Sequence, residues 1–344
     1  MDKSINIFNI LIIVVSLVID FTSCSHQSHK DLSQFDALEG EKLQTRVLND
    51  TFEFGSANKI LVYDTLLIIF DDLNPNKLQF FHKENGSHLW EFGRIGQGDK
   101  ELISPSGLTL NLSADIMSVY DYAKRSLLAC KLEDLGKFNS ENWFEIHIPD
   151  YQIIPKEVLP VGENGYLSIH GKPRMIYSND NIKFEYDIYP TLLDDESKRM
   201  FMLSESLLNI SPDGEKFVQA TTLGVVMDFF ELTEDEIIPV TENCFKKPVF
   251  EMQKGQICVL PESVYGFSCL SSTNNDLYAT LHGKEKPTEY PSEIYQFDWD
   301  GVLRKKWETG RQIVAFGVDV STEEIYAIYM NEANDQILVK FVKS

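Results

Sequence analysis

Six apolar segments of similar make-up recur along this 344-residue chain at a spacing close to fifty. They begin at Leu66, Ile116, Tyr166, Lys216, Leu277 and Ile325, so successive starts lie 50, 50, 50, 61 and 48 residues apart. Each is short, rich in β-branched and aromatic side chains, and bounded by polar turn residues, which is the pattern of a buried strand. The stretch from Ser106 to Ile148 contains one whole repeat, with apolar runs at 107–112, 115–121, 125–132 and 143–148. A lone four-stranded meander has two unpaired edges and more apolar face than it can bury, so it must stack on copies of itself. A period near fifty fits a propeller blade of four antiparallel strands. The spacing therefore predicts an all-β, six-bladed β-propeller. A seventh blade would have to hide in the 61-residue interval after Lys216.

Turn chemistry agrees. Glu84-Asn85-Gly86, Ser211-Pro212-Asp213-Gly214 and Asp298-Trp299-Asp300-Gly301 supply the Asn-Gly and Asp-Gly pairs that tight hairpins need. The last repeat has only three strands, at 313–318, 324–329 and 337–342, before the chain ends. The run 45–54 precedes the first repeat and has no other partner, so it is expected to supply the missing outer strand and close the ring. The least regular stretch, 173–203, is assigned to the outer half of blade three and the approach to blade four, with helical character around 194–202.

Thirty-one Lys and Arg against 53 Asp and Glu give a net charge of −22, a surface that repels nucleic acid and anionic membranes. The N-terminus carries Lys3, then an apolar run from Ile5 to Ile19 of signal-peptide length, then Phe21-Thr22-Ser23-Cys24. Small residues directly before a cysteine resemble a bacterial lipobox, with Phe21 standing where an aliphatic residue is usual. Residues 1–23 thus read as a lipoprotein signal peptide, Cys24 as the lipidated residue, 24–43 as a polar tether and 44–344 as the propeller. Of the remaining cysteines, Cys130, Cys258 and Cys269 lie in or beside apolar runs, where free thiols are usual, and an oxidising compartment would allow one disulfide among Cys130, Cys244, Cys258 and Cys269.

One further segment carries a family likeness. Trp90-Glu91-Phe92-Gly93-Arg94-Ile95-Gly96-Gln97-Gly98, followed by Ser104-Pro105-Ser106-Gly107, has the glycine-rich blade-to-blade crossing and the Pro before an inner strand seen in that family. With the lipobox and the period, the chain from about residue 45 onward resembles the TolB-like six-bladed propeller lipoproteins of Bacteroides-type bacteria. The resemblance implies the fold and an outer-membrane lipoprotein of the cell envelope, on its periplasmic or surface side. It transfers no catalytic motif.

Catalytic signatures fail on inspection. Gly93, Gly96 and Gly98 lack the following helix and Lys-Ser/Thr of a phosphate loop. Asp298-x-Asp300-Gly301 places Trp307 where a calcium loop needs Glu, and Tyr265–Cys269 lacks the last glycine of a hydrolase elbow. The HxxH pair His26 and His29 falls in the polar tether, and His82, His88, His147, His170 and His282 are scattered. Loops of all blades converge around a propeller's axis, so candidate ligand-face residues are Arg94, Asp99 and Glu101 on the first crossing, and His170, Lys172 and Arg174 on the hairpin of blade three. The sequence is thus expected to encode a non-enzymatic binding or scaffolding module for an envelope protein or glycan, without a cofactor. The alternative is a propeller enzyme of lactonase, lyase or hydrolase type that holds Ca²⁺ in the channel. If Cys24 carries the lipid, Cys24→Ser shifts the protein from the membrane fraction to the soluble fraction; continued membrane retention refutes the anchor.

Overall fold

A computed structural model of the chain describes residues 31–149, 153–162, 164–179, 181–189, 195, 206–233, 236–254 and 256–343. Cys24, the signal segment and the helical character expected around 194–202 lie outside the described residues. A short helix α1 (Ser33–Ala37) and strand β1 (Gly40–Asn49) come first. Four-stranded antiparallel sheets follow. The first two are β2 (Ala57–Tyr63), β3 (Leu66–Asp71), β4 (Asn76–His82), β5 (His88–Arg94), and β6 (Pro105–Asn111), β7 (Ile116–Asp121), β8 (Ser126–Lys131), β9 (Trp143–His147). The next two are β10 (Glu157–Val161), β11 (Gly165–Ile169), β12 (Met175–Ser178), β13 (Lys183–Tyr186), and β14 (Ser206–Ile210), β15 (Lys216–Thr221), β16 (Val225–Leu232), β17 (Ile237–Lys246). A hairpin of β18 (Phe250–Gln253) and β19 (Gln256–Val259) is inserted next, and accounts for the 61-residue interval without another blade. The fifth set is β20 (Phe267–Ser272), β21 (Asp276–Leu281), β22 (Glu293–Asp298) and β23 (Leu303–Glu308); the last is β24 (Gln312–Val318), β25 (Ile325–Met330) and β26 (Gln336–Lys343).

The six recurring segments of the sequence are the second strands of these sets. They stand out because they are buried on both faces, as in β3, where every residue is buried. The core is a ring of wedges between neighbouring sheets rather than one central mass. One wedge joins Ile68, Phe70 and Phe80 to Leu108, Met117 and Val119, and another joins Leu159, Leu167 and Tyr177 to Leu208, Phe217 and Phe230. A third couples the last set to the first through Tyr326, Ile328 and Leu338 against Ile60, Leu67 and Ile69.

The strand that completes the last set differs from the expected 45–54. β1 starts at Gly40, and its first three residues pair in parallel with Lys306–Glu308 of β23. From Leu43 it turns onto β26, running antiparallel from Leu43↔Lys343 to Asn49↔Leu338. It stops where it does because Asn49 Oδ1 accepts the backbone N–H groups of Thr51 and Phe52 at 3.0 and 2.9 Å, an Asx turn that takes 50–54 out of the sheet. The expected tether also shortens. Residues 33–43 belong to the fold, because Phe35 on α1 is buried against Phe245, Tyr295 and Phe297. The described cysteines Cys130, Cys244, Cys258 and Cys269 are free thiols.

Two buried aspartates fasten the loops between sheets. Asp71, at the end of β3, accepts from the backbone N–H groups of Gly55 and Ser56 at 2.8 and 2.7 Å, as well as from Leu73 and Asn74 in its own turn. Asp121, at the end of β7, does the same with Ile103 and Ser104 and with Ala123 and Lys124. Each carboxylate satisfies N–H groups that an irregular loop would otherwise leave unpaired. Phe35 offers a direct test of the N-terminal packing. Phe35→Ala should cost about 3–5 kcal/mol and lower the urea midpoint of the whole domain, whereas an unchanged midpoint would mean that α1 does not hold the fourth and fifth sheets together.

Candidate functional site: the central channel and its mouth

The first strands of all the sets face a common axis. Leu61, Leu110, Leu159, Leu208, Leu270 and Val318, one from each of β2, β6, β10, β14, β20 and β24, line a single cavity of about 50 Å³. That is room for about three to five waters, so the waist of the channel is an aliphatic constriction and not a passage. Polar groups interrupt it in few places. Asn209 on β14 is 9 % exposed; its amide nitrogen donates to Leu270 O at 3.4 Å, while its Oδ1 is buried with no hydrogen-bond partner.

Strands alternate in direction within a sheet, so blade-to-blade crossings and second-to-third-strand turns emerge on one face, here called the crossing face. The first strands begin at that face, and two of them carry a charge near their start, of which Lys59 lines the cavity and Glu157 does not. Lys59, third in β2, and Glu157, first in β10, are both half-buried. Burial lowers the Lys59 pKa and raises that of Glu157, and each is the leading charge acting against that shift in the other. Cys269 on β20 also feels Lys59; burial pushes its thiol up to about 11 while the Sγ donates to Val314 O at 3.2 Å. Glu157 leans over Gly107 of β6, where a Cβ would stand 3.3 Å from Oε1. Among the described residues no side-chain hydrogen bond or ion pair engages either Lys59 or Glu157, though both pair through the backbone in their strands.

The residues expected on the ligand face separate into two places. Arg94, Asp99 and Glu101 lie on the first crossing, on the crossing face. There Glu101 accepts from Gly98 N at 2.7 Å, Lys124 donates to Gly98 O, and Ile95 bridges Leu102. His170, Lys172 and Arg174 form the β11–β12 hairpin on the same face, but only Lys172 is exposed. His170 and Arg174 are 3 % and 2 % exposed, which corrects their expected position as open loop residues. The physical reason is a polar network built inside the protein. The Ser168 hydroxyl donates to Ile176 O at 3.0 Å, so His170 Nε2, 2.8 Å away, is the donor to Ser168, and burial holds the imidazole neutral with a pKa of about 4. Arg174 donates Nε and Nη2 to Gln219 Oε1 at 2.9 and 2.7 Å, Nη2 to Asp228 Oδ2 at 2.5 Å, and sits over the Phe230 ring. Burial raises the Asp228 pKa, and Arg174 opposes that shift. Among the described residues, no interaction joins this cluster to Arg94, Asp99 or Glu101.

Sequence reasoning missed Lys59 and Glu157. The available signal was a single charge set against an apolar first strand, in Asn58-Lys59-Ile60-Leu61-Val62 and Glu157-Val158-Leu159. The crossing face also carries an uneven share of apolar surface. Among the described residues, seven of the fourteen exposed large apolar side chains lie in its loops: Leu73, Ile95, Ile103, Tyr122, Ile153, Ile188 and Tyr290. The opposite loops carry one, Val302. No group of three or more His, Cys, Asp or Glu able to hold a metal occurs among the described residues.

The Arg174–Asp228 pair makes a clear structural prediction. Arg174→Ala strands a buried carboxylate and should destabilise by about 3–5 kcal/mol, while the double change Arg174→Met with Asp228→Leu should cost far less. Urea denaturation of the three proteins decides; equal losses in the single and double variants would show that packing, not the charge pair, matters at this position.

Comparison with known proteins agrees with this architecture. A crystal structure of a protein from Bacteroides fragilis, provisionally named as exported, superposes with a TM-score of 0.59 at 15 % identity, covering 92 % of this chain and 98 % of its own. A member of the duf4221 family from Bacteroides vulgatus gives a TM-score of 0.51 at 12 % identity, over 89 % of this chain and 97 % of its own. At these identities the likeness is one of fold. None of the curated proteins matches the chain. The TolB-like 6-blade propeller-like family matches residues 36–321, most of the chain, from the end of α1 to just past β24, and the chain belongs to that family.

Proposed function

We propose that this protein is an exported lipoprotein of the cell envelope, anchored through Cys24, whose crossing face is a non-enzymatic docking surface for an envelope protein or glycan. The observation that carries the proposal is the asymmetry of the two faces. Exposed apolar side chains scattered singly are ordinary, but a concentration on one face of a soluble domain marks an interaction surface. Seven sit in the crossing-face loops and one in the opposite loops among the described residues. The aliphatic waist of the channel, a cavity of about 50 Å³, favours engagement at the face over passage of a substrate along the axis. Export is supported by the signal-like N-terminus and by the description of the Bacteroides fragilis relative.

Cross-linking in intact cells, followed by affinity capture and mass spectrometry, tests this reading with a paired variant. Leu73→Asp with Tyr122→Asp places charge on two exposed crossing-face positions without touching a buried residue. A partner recovered with the unaltered protein and lost with the variant supports the docking face. Recovery of the same partner at equal yield from both proteins refutes it.

A further inference from the structure

We propose that a cavity between the outer strands of the third and fourth sheets binds a small single-ring molecule whose short side chain ends in a hydroxyl or ammonium group, that group donating to Asp228 Oδ1. The cavity has a volume of about 290 Å³ and, among the described residues, shares no lining with the channel. Its base is the buried pair Arg174 and Asp228, and its walls are Tyr186, Phe230, Pro239 and Val240. A bulge in β17 shapes one side. Phe229 pairs with Thr241 and Phe230 with Pro239, so Val240 is the extra residue. A bulge bends its strand and re-aims its side chains. On the other side β13 ends at Tyr186, and the residues after it are fastened back onto the third sheet. Arg174 Nη1 donates to Ile188 O at 3.1 Å, and the Tyr189 hydroxyl donates to Gly171 O. Both walls are thus held by the protein's own bonds, as in a preformed small-molecule site.

The base identifies the head group of the ligand. Asp228 is 4 % exposed, and Arg174 Nη2 engages only its Oδ2, at 2.5 Å. Oδ1 is buried with no hydrogen-bond partner among the described residues. Arg174 supplies the counter-charge, so what this carboxylate lacks is a donor, and a buried acceptor left without one is costly. A hydroxyl or an ammonium meets that need. A carboxylate head does not, because it would face Asp228 while Arg174 Nε and Nη2 are already engaged by Gln219 and Asp228. The walls identify the body. The Tyr186 and Phe230 rings meet edge to face with centroids 5.6 Å apart, beside Pro239 and Val240, a lining that favours an aromatic ring. Size agrees, since an apolar cavity of about 150 Å³ holds benzene, and this one has room for a ring with a short chain.

The test uses the purified protein and defined small molecules, and is independent of any macromolecular partner. Titration calorimetry is run with 2-phenylethanol and 2-phenylethylamine, which carry a donor, with ethylbenzene, which has none, and with phenylacetate, an anion. The expected result is that at least one of the two donors binds about tenfold or more tighter than ethylbenzene and phenylacetate, the gain of a hydrogen bond to a charged group. Which of the two binds tighter fixes the head group, and either supports the proposal. Val240→Trp, at a partly exposed position on the rim, should weaken the preferred molecule about tenfold or more by filling the cavity. Arg174→Met with Asp228→Leu should reduce it to the level of ethylbenzene. Because the four molecules are compared on the unaltered protein, the comparison decides even if a variant folds poorly. No binding by either donor, ethylbenzene binding as tightly as both, or a preference for phenylacetate overturns the proposal. So does full affinity in folded Val240→Trp, which would place the binding elsewhere.

Discussion

A four-stranded blade has two apolar faces, and that constraint governs everything else in the molecule. Neither face can be left to water, and among the described residues no second layer of helices covers them, so each sheet must lie between two others. The result is a core divided into wedges, each shared by two neighbours. No blade owns a complete core, which makes stability a property of adjacent pairs. The wedges are unequal. That between the second and third sheets centres on only Tyr120, Leu127 and Val158, while that between the fourth and fifth gathers a large aromatic group and recruits Phe35 from the N-terminal helix.

The same constraint decides what sequence alone reveals. Second strands are enclosed by a strand on each side and a sheet on each face, so their residues are apolar almost without interruption, and all six were legible. β1 was only partly so. Its Gly40–Lys42 segment is polar because it lies on the outer rim, and its pairing with β23 in parallel leaves no mark in the residues themselves. The end of β1 depends on one Asn49 side chain turning back on the backbone, a local choice that competes with continued strand. Phe35 was a lone aromatic in a polar segment, and only the gap between two sheets gives it a reason.

Sites are harder to read than strands, because a propeller assembles them from residues about a hundred positions apart. Lys59 and Glu157 stand toward the same face only because two first strands begin there. Arg174 illustrates the converse. Its place on a hairpin suggests exposure, yet Asp228 and Gln219, far along the chain, provide enough hydrogen bonds to bury a guanidinium. Composition near a charge does not say whether its partner is a ligand or another side chain.

The position of β1 also has a temporal meaning. It is synthesised long before its partner β26, for Leu43 stands opposite Lys343. The contact therefore closes a loop of nearly the whole domain, and the entropy of that closure must be met before the pairing gives anything back. Until then β1 carries an open edge, able to accept a foreign strand. An early segment that waits for a late one makes the interval between the two the period in which this fold is most exposed to mispairing.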